Sequence, residues 1–346
     1  MIKALLGIVL VLSISVPAAA AEMVAPEVPG AGMEAMPQNT DSFGDALLEL
    51  LQNGIRMLHP ELEEALHVCY GILFSGLLFS ILSLLSEKTR GILGFAWTAA
   101  AGTLMFQHTN TMIGYASEAV WEICEYGKLL CPVLTTALAA QGGITASAAL
   151  YTGTTVFITL LSMLVSRWIV PLVYGFLLLS VAHCAIGEEC LRNFADAAKR
   201  MLSWLLKTLL IIFTTYMSVT GVVSGTTDAA ALKAAKVTIS SVVPVVGGIL
   251  SDASESVLVS MGIMKNAAGI YGILAVLAIF IGPFVKVSVQ YLLLKCCAAL
   301  CSIFGNKKIY GLVEDFSTAM GLLLAMVAAG CVFVLISIVC FLKGLG

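Results

Sequence analysis

The feature that most constrains this chain is a series of long apolar stretches without Asp, Glu, Lys or Arg, of which residues 66–85 and 320–342 are the clearest. About 20 residues at 1.5 Å rise cross roughly 30 Å of hydrocarbon, so each such stretch is read as a membrane-crossing helix. Composition agrees: 60% of residues are hydrophobic, 11% are charged and mean hydropathy is +1.01. Soluble domains carry about 45–50% apolar and about 25% charged residues. Lys and Arg total 18 and the net charge is −3, too little positive charge to cover nucleic-acid phosphates. The chain is therefore expected to be all-α, a polytopic helical membrane protein that works in the lipid bilayer and not on nucleic acid.

Lys3 precedes an apolar run at 4–16, and small residues at 17–21 precede Glu22. That order predicts a cleaved signal peptide over 1–21. Residues 22–64 follow as an exported acidic segment, with Glu22, Glu27, Glu34, Asp41, Asp45, Glu49, Glu61, Glu63 and Glu64 against Arg56. Its first part, up to Thr40, reads as a disordered tail. Phe43, Ala46, Leu47, Leu50, Leu51, Ile55 and Leu58 then recur at helical spacing, which predicts an amphipathic helix on the outer membrane surface, on a partner, or on the protein's own membrane domain.

A multi-pass domain is expected over 65–346. Residues 66–85 run inward to the basic turn Glu87-Lys88-Thr89-Arg90, as the positive-inside rule prefers. Residues 91–113 return outward, and 115–126 lie outside with Glu118, Glu122 and Glu125 on one helical face. The segments 129–140 and 144–165 form a hairpin broken by Pro132, Gly142 and Gly143, and 168–186 follows after Ser166-Arg167. Further crossings are expected at 208–223, 267–285, 287–304 and 320–342, with Lys286 at a cytoplasmic turn, 306–318 as a charged outer loop and Lys343 inside. The expected total is about eight crossings, counting the hairpin as two.

Recognisable reagents of catalysis are missing from the sequence. It has no H-E-x-x-H, G-x-S-x-G or Walker-type phosphate loop, and none of its four histidines has another within helical reach. The ten cysteines lack zinc-site spacing and read as small packing residues, although Cys124 and Cys131 sit close enough for a disulfide to be considered. No enzyme activity, metal or cofactor is expected.

Two features could carry function. Pro132 with Gly142-Gly143, and Pro244 with Gly247-Gly248, share a pattern of proline, short apolar run and glycine pair. Broken apolar segments at matching places point to a transport pathway, and equally to close helix packing through small residues. The second feature is Lys295, a lysine inside an apolar segment, which forms a heptad-spaced polar stripe with Ser288 and Ser302. No Asp or Glu falls inside the apolar segments so delimited, which weighs against a carboxylate-coupled carrier.

Thr227-Asp228-Ala229 to Leu232, Ala235-Lys236, Val243-Pro244-Val245-Val246-Gly247, Asp252-Ala253 and Lys265-Asn266 resemble the stage III sporulation protein AE family of endospore-forming Firmicutes. Gly142-Gly143 after Pro132, Glu87-Lys88-Thr89 and Val170-Pro171-Leu172 are similar too. The resemblance implies a membrane subunit, in the mother-cell membrane around the forespore, of a channel or secretion complex supporting forespore development. Implied partners are other products of the stage III sporulation operon, namely a secretion-type ATPase and ring-forming membrane proteins, and the forespore-side channel protein. On this reading Pro132, Gly142, Gly143, Pro244, Gly247, Gly248, Ser288, Lys295 and Ser302 are candidate pathway or packing residues. Glu118, Glu122 and Glu125 are a candidate partner surface. An autonomous small-solute transporter and a structural scaffold are the competing readings.

Overall fold

The structure is a computed structural model that describes residues 32, 35–37, 43–85, 90–140, 144–223, 267–303 and 307–344. The expected signal peptide, together with Gly142, Gly143, Pro244, Gly247 and Gly248, lies outside the described residues.

The described residues are helical, with no strand among them. Helix α1 spans Phe43–Leu85 and α2 spans Arg90–Ala140. Helix α3 is a composite rod: Ile144–Leu164, a π-helical turn Val165–Ile169, and Val170–Ile186. Helices α4, α5 and α6 span Glu189–Val223, Ala267–Ile303 and Lys307–Gly344. Stretches of α1, α3, α4, α5 and α6 are long and apolar enough to cross a membrane, five candidates among the described residues. Helix α2 is not one of them, since Gln107 to Asn110 and its glutamates interrupt its apolar sequence.

The rods alternate in direction. Ala46 and Leu50 of α1 cluster with Leu274 and Ala278 of α5, and Ala65 clusters with Val285 and Val289, so α1 and α5 run parallel. A Cβ on Gly269 would meet Leu342, and one on Gly321 would meet Tyr291, so α5 and α6 are antiparallel. Gly127 of α2 lies against Val334 and Ile158, and Tyr174 of α3 donates to Asn110 at 2.6 Å, so α2 runs with α6 and against α3. Arg192 and Phe213 of α4 meet Asp315 and Phe333 of α6. The start of α1 and the end of α6 therefore share one end of the bundle, called upper here. The α3–α4 turn, where Gly187 at φ 90° caps the helix by donating its N–H to the His183 carbonyl at 2.7 Å, marks the lower end.

This geometry corrects several expectations. Residues 267–285 and 287–304 are not two crossings: α5 runs unbroken through Lys286, whose charge is met by Glu61 and Glu64 of α1. Ser166-Arg167 is not a loop but part of a π turn, which inserts one residue and keeps Val165 and Ile169 buried while the rod continues. Residues 307–318 are not an outer loop, because Ile309, Leu312, Val313 and Phe316 are buried on α6. With these segments fused, the opposite-side placement of Phe43 and Lys343 fails. The eight-crossing count is not reproduced among the described residues.

Helix α6 is the centre of the bundle and touches α2, α3, α4 and α5. Of its most apolar window, 89% is buried, against 28% for α1. Ala319, Gly321, Ala325, Ala328, Ala329 and Gly330 let neighbouring rods approach closely, the usual way helices associate where lipid offers no hydrophobic drive. Phe333 stacks on Phe213 at 4.2 Å, and Phe213 meets Phe157 edge-on at 5.3 Å, pairs worth about 1 kcal/mol each beyond their area.

Candidate functional site: charged pairs between apolar rods

Charged side chains on an apolar rod are costly unless they meet a partner, and here they meet across rods. Glu314 and Asp315 are consecutive on α6, so their side chains diverge by about 100°. Glu314 pairs with Lys295 of α5. Asp315 accepts from Arg192 Nη1 of α4 at 2.8 Å, and its side chain is only 8% exposed. Arg192 Nε also faces Asp196 at 3.5 Å. One α6 dipeptide thus ties the lower halves of α5 and α4 to the central rod.

A second charged level lies near the middle of the bundle. Lys286 Nζ of α5 stands 3.3 Å from Glu61 and 3.7 Å from Glu64 of α1, and 4.5 Å from the Tyr115 ring centroid of α2. Three rods converge on one ammonium that is 15% exposed. Beside this level, a cleft of about 340 Å³ opens between α2 and α3. Gly114, Ser117, Glu118 and Trp121 line one wall; Ser162, Val165 and Ser166 line the other.

The expected site residues fare unequally. Lys295 of α5 is paired with Glu314, a residue expected in an outer loop. Of the two serines expected on the Lys295 stripe, Ser288 is half-buried, and Ser302 donates to its own helix at Ala299 O, 2.6 Å away. Pro132 lies exposed inside α2. Glu118, Glu122 and Glu125 share α2, but Glu125 is neutralised by Lys128 at 2.7 Å, and only Glu118 is well exposed. Cys124 and Cys131 are both free, buried thiols. The statement that no carboxylate lies in an apolar span is overturned by Glu314 and Asp315, which fall inside the candidate span Ile309–Leu342. Their absence therefore no longer argues against a coupled carrier.

Arg192, Glu61, Glu314 and Asp315 were missed as a set. Helical spacing of Ile309, Leu312, Val313 and Phe316, continuous in phase with 320–342, was the available signal that Glu314 belongs to a rod.

The family profile described as Stage III sporulation protein AE (spore_III_AE) matches residues 34–344. The stage III sporulation protein AE of Bacillus subtilis (strain 168) is 24% identical over 219 residues, 63% of this chain and 55% of that relative. The chain thus spans little more than half the length of the curated relative it matches. No solved structure matches the chain. The profile runs from before α1 to the last turn of α6, taking in every rod and the interhelical charge pairs described above, and the chain belongs to the stage III sporulation protein AE family.

Proposed function

We propose that this chain is the permease-like membrane subunit of a complex joining mother cell and forespore, sited in the mother-cell membrane around the forespore. The observation that carries the reading is the set of paired charges set between apolar rods, in a member of a sporulation family. Such pairs sit where rods could shift against one another, and charge inside membrane rods commonly marks transport elements. The lower end, with Arg90, Arg192, Lys307 and Lys308, faces the cytoplasm by the positive-inside rule, and the upper end is exported. Ring-forming partners dock on the exported end, near Glu118, Glu122 and Glu125, and a secretion-type ATPase supplies any energy from outside this chain.

In the sequence, the glycine pairs at 142–143 and 247–248 fall between α2 and α3 and between α4 and α5. Cysteines placed beside Gly142 and Gly247, in a Cys-free background, are expected to react with a water-soluble thiol reagent during sporulation. Uniform protection at both positions counts against the pathway. Purified protein in liposomes that moves a solute without its operon partners would favour an autonomous transporter instead. Normal sporulation in a Lys295→Met strain would favour a scaffold.

A further inference from the structure

The cleft between α2 and α3 encloses about 340 Å³, within the range of small-molecule sites, which begins near about 300 Å³. Its walls differ in chemistry. Val120 and Val165 are buried and apolar, and Trp121 presents an indole that is 56% exposed. Ser117, Ser162 and Ser166 add hydroxyls, and Glu118 adds one carboxylate. Ser166 donates its proton to the Ser162 carbonyl at 3.0 Å, which leaves its oxygen as an acceptor. Val165 and Ser166 belong to the π turn Val165–Ile169, where one inserted residue shifts the phase of α3 against α2. Such turns recur at functional sites.

Charge sets the cleft apart. Carboxylates elsewhere between the rods meet a cation: Glu61 and Glu64 meet Lys286, Glu314 meets Lys295, and Asp315 meets Arg192. Among the described residues no Lys, Arg or His forms an ion pair with Glu118, nor with Glu122 one turn further along the same face. Glu122 is half-buried, and like charges four residues apart on a helix repel. Arg167, next to Ser166 in the chain, is exposed and does not line the cleft. A carboxylate set against α3, a rod apolar enough to cross a membrane, thus lacks the counter-charge that such surroundings demand.

We infer that the α2–α3 cleft binds an organic ammonium, with Glu118 as its counter-ion and the Trp121 ring as its cation–π platform. Indole is the best aromatic partner for a cation. Glu118 repels anions, and the apolar walls favour an organic cation over a metal ion. A hard metal ion takes about six or more oxygen ligands, whereas this lining offers one carboxylate and three hydroxyls. The ammonium belongs to a free amine or to an ethanolamine lipid headgroup, which share this chemistry. Because the cleft is formed within one chain, the site does not rest on the docking of ring-forming partners.

The test uses full-length protein in maltoside micelles, which carry no ammonium group. A variant retaining Trp121 alone (Trp97→Phe, Trp168→Phe, Trp204→Phe) is titrated with butylammonium chloride, against sodium chloride at equal ionic strength. A saturable change in indole emission is expected, with a midpoint on the order of 1–10 mM. Glu118→Gln in the same background should weaken binding at least about fivefold, and Glu189→Gln at the lower end should leave it unchanged. A response that sodium chloride reproduces, or one that Glu118→Gln leaves intact, overturns the inference. The protein with all four tryptophans gives a second readout: butylammonium should raise its melting temperature saturably, and Glu118→Gln should abolish the rise. No rise in the wild type overturns the inference as well. Nanodiscs identify the source of the ammonium. Loss of the butylammonium response when phosphatidylethanolamine replaces phosphatidylglycerol assigns the cleft to a lipid headgroup, and a response that persists assigns it to a free amine.

Discussion

Helices α6 and α1 are of similar length and both are apolar enough to cross a membrane, yet 89% of one apolar window is buried and only 28% of the other. Apolarity alone does not say what a membrane helix faces. Small residues do: α6 is rich in Ala and Gly at its contacts, while α1 turns Tyr70, Phe74, Leu77 and Leu78 outward. Charge does not follow the same division, since carboxylates of both rods are paired with neighbouring helices, Glu314 and Asp315 with Lys295 and Arg192, and Glu61 and Glu64 with Lys286.

Substitutions should separate the two rods sharply. Phe333→Ala removes a fully buried ring stacked on Phe213 and is expected to destabilise the purified protein by about 3–4 kcal/mol. Phe74→Ala on α1, where the ring is 69% exposed, should change unfolding in detergent by no more than about 0.5 kcal/mol. Equal effects would erase the distinction between a packing rod and a lipid-facing one.

The ion pairs give the next largest effects. Arg192→Gln strands the buried Asp315 carboxylate, at about 2 kcal/mol after allowing for the 37% exposure of the arginine side chain. A thermal shift no larger than that of a surface control would show the pair to be incidental. Smaller still is the contrast between two glycines of α3. A methyl at Gly153 would overlap the Tyr216 ring, whose hydroxyl is tied to Ala149 O at 3.0 Å, and Gly153→Ala should cost about 1–2 kcal/mol. A Cβ added at Gly175 would meet no atom of another helix or side chain within 4 Å, so Gly175→Ala should be neutral or stabilising by about 0.5 kcal/mol, with helix propensity as the only change.

Much of the fold was legible from the chain because helical membrane segments must satisfy their own backbone. Residues 66–85, 144–165 and 320–342 all fall within rods. What failed was the division between segments. Lys286 and Arg167 look like turns when a charge is assumed to end a span, and only the partner on another rod reveals otherwise. The same blindness hid Glu314: its partner Lys295 precedes it by a connection, and no periodicity within one helix encodes a contact between two. Family membership was legible from scattered short matches, because these span the chain even though none of them is a reactive motif.

The central claim is that charged residues on these rods act as pairs between helices. Reversing one pair tests it most directly. Lys295→Glu and Glu314→Lys, each alone, set like charges against each other and are expected to lower sporulation frequency at least about tenfold, while the double reversal restores it to within about threefold of the wild type. A double variant as impaired as the worse single one would contradict the account, leaving Lys295 and Glu314 as neighbours with separate roles.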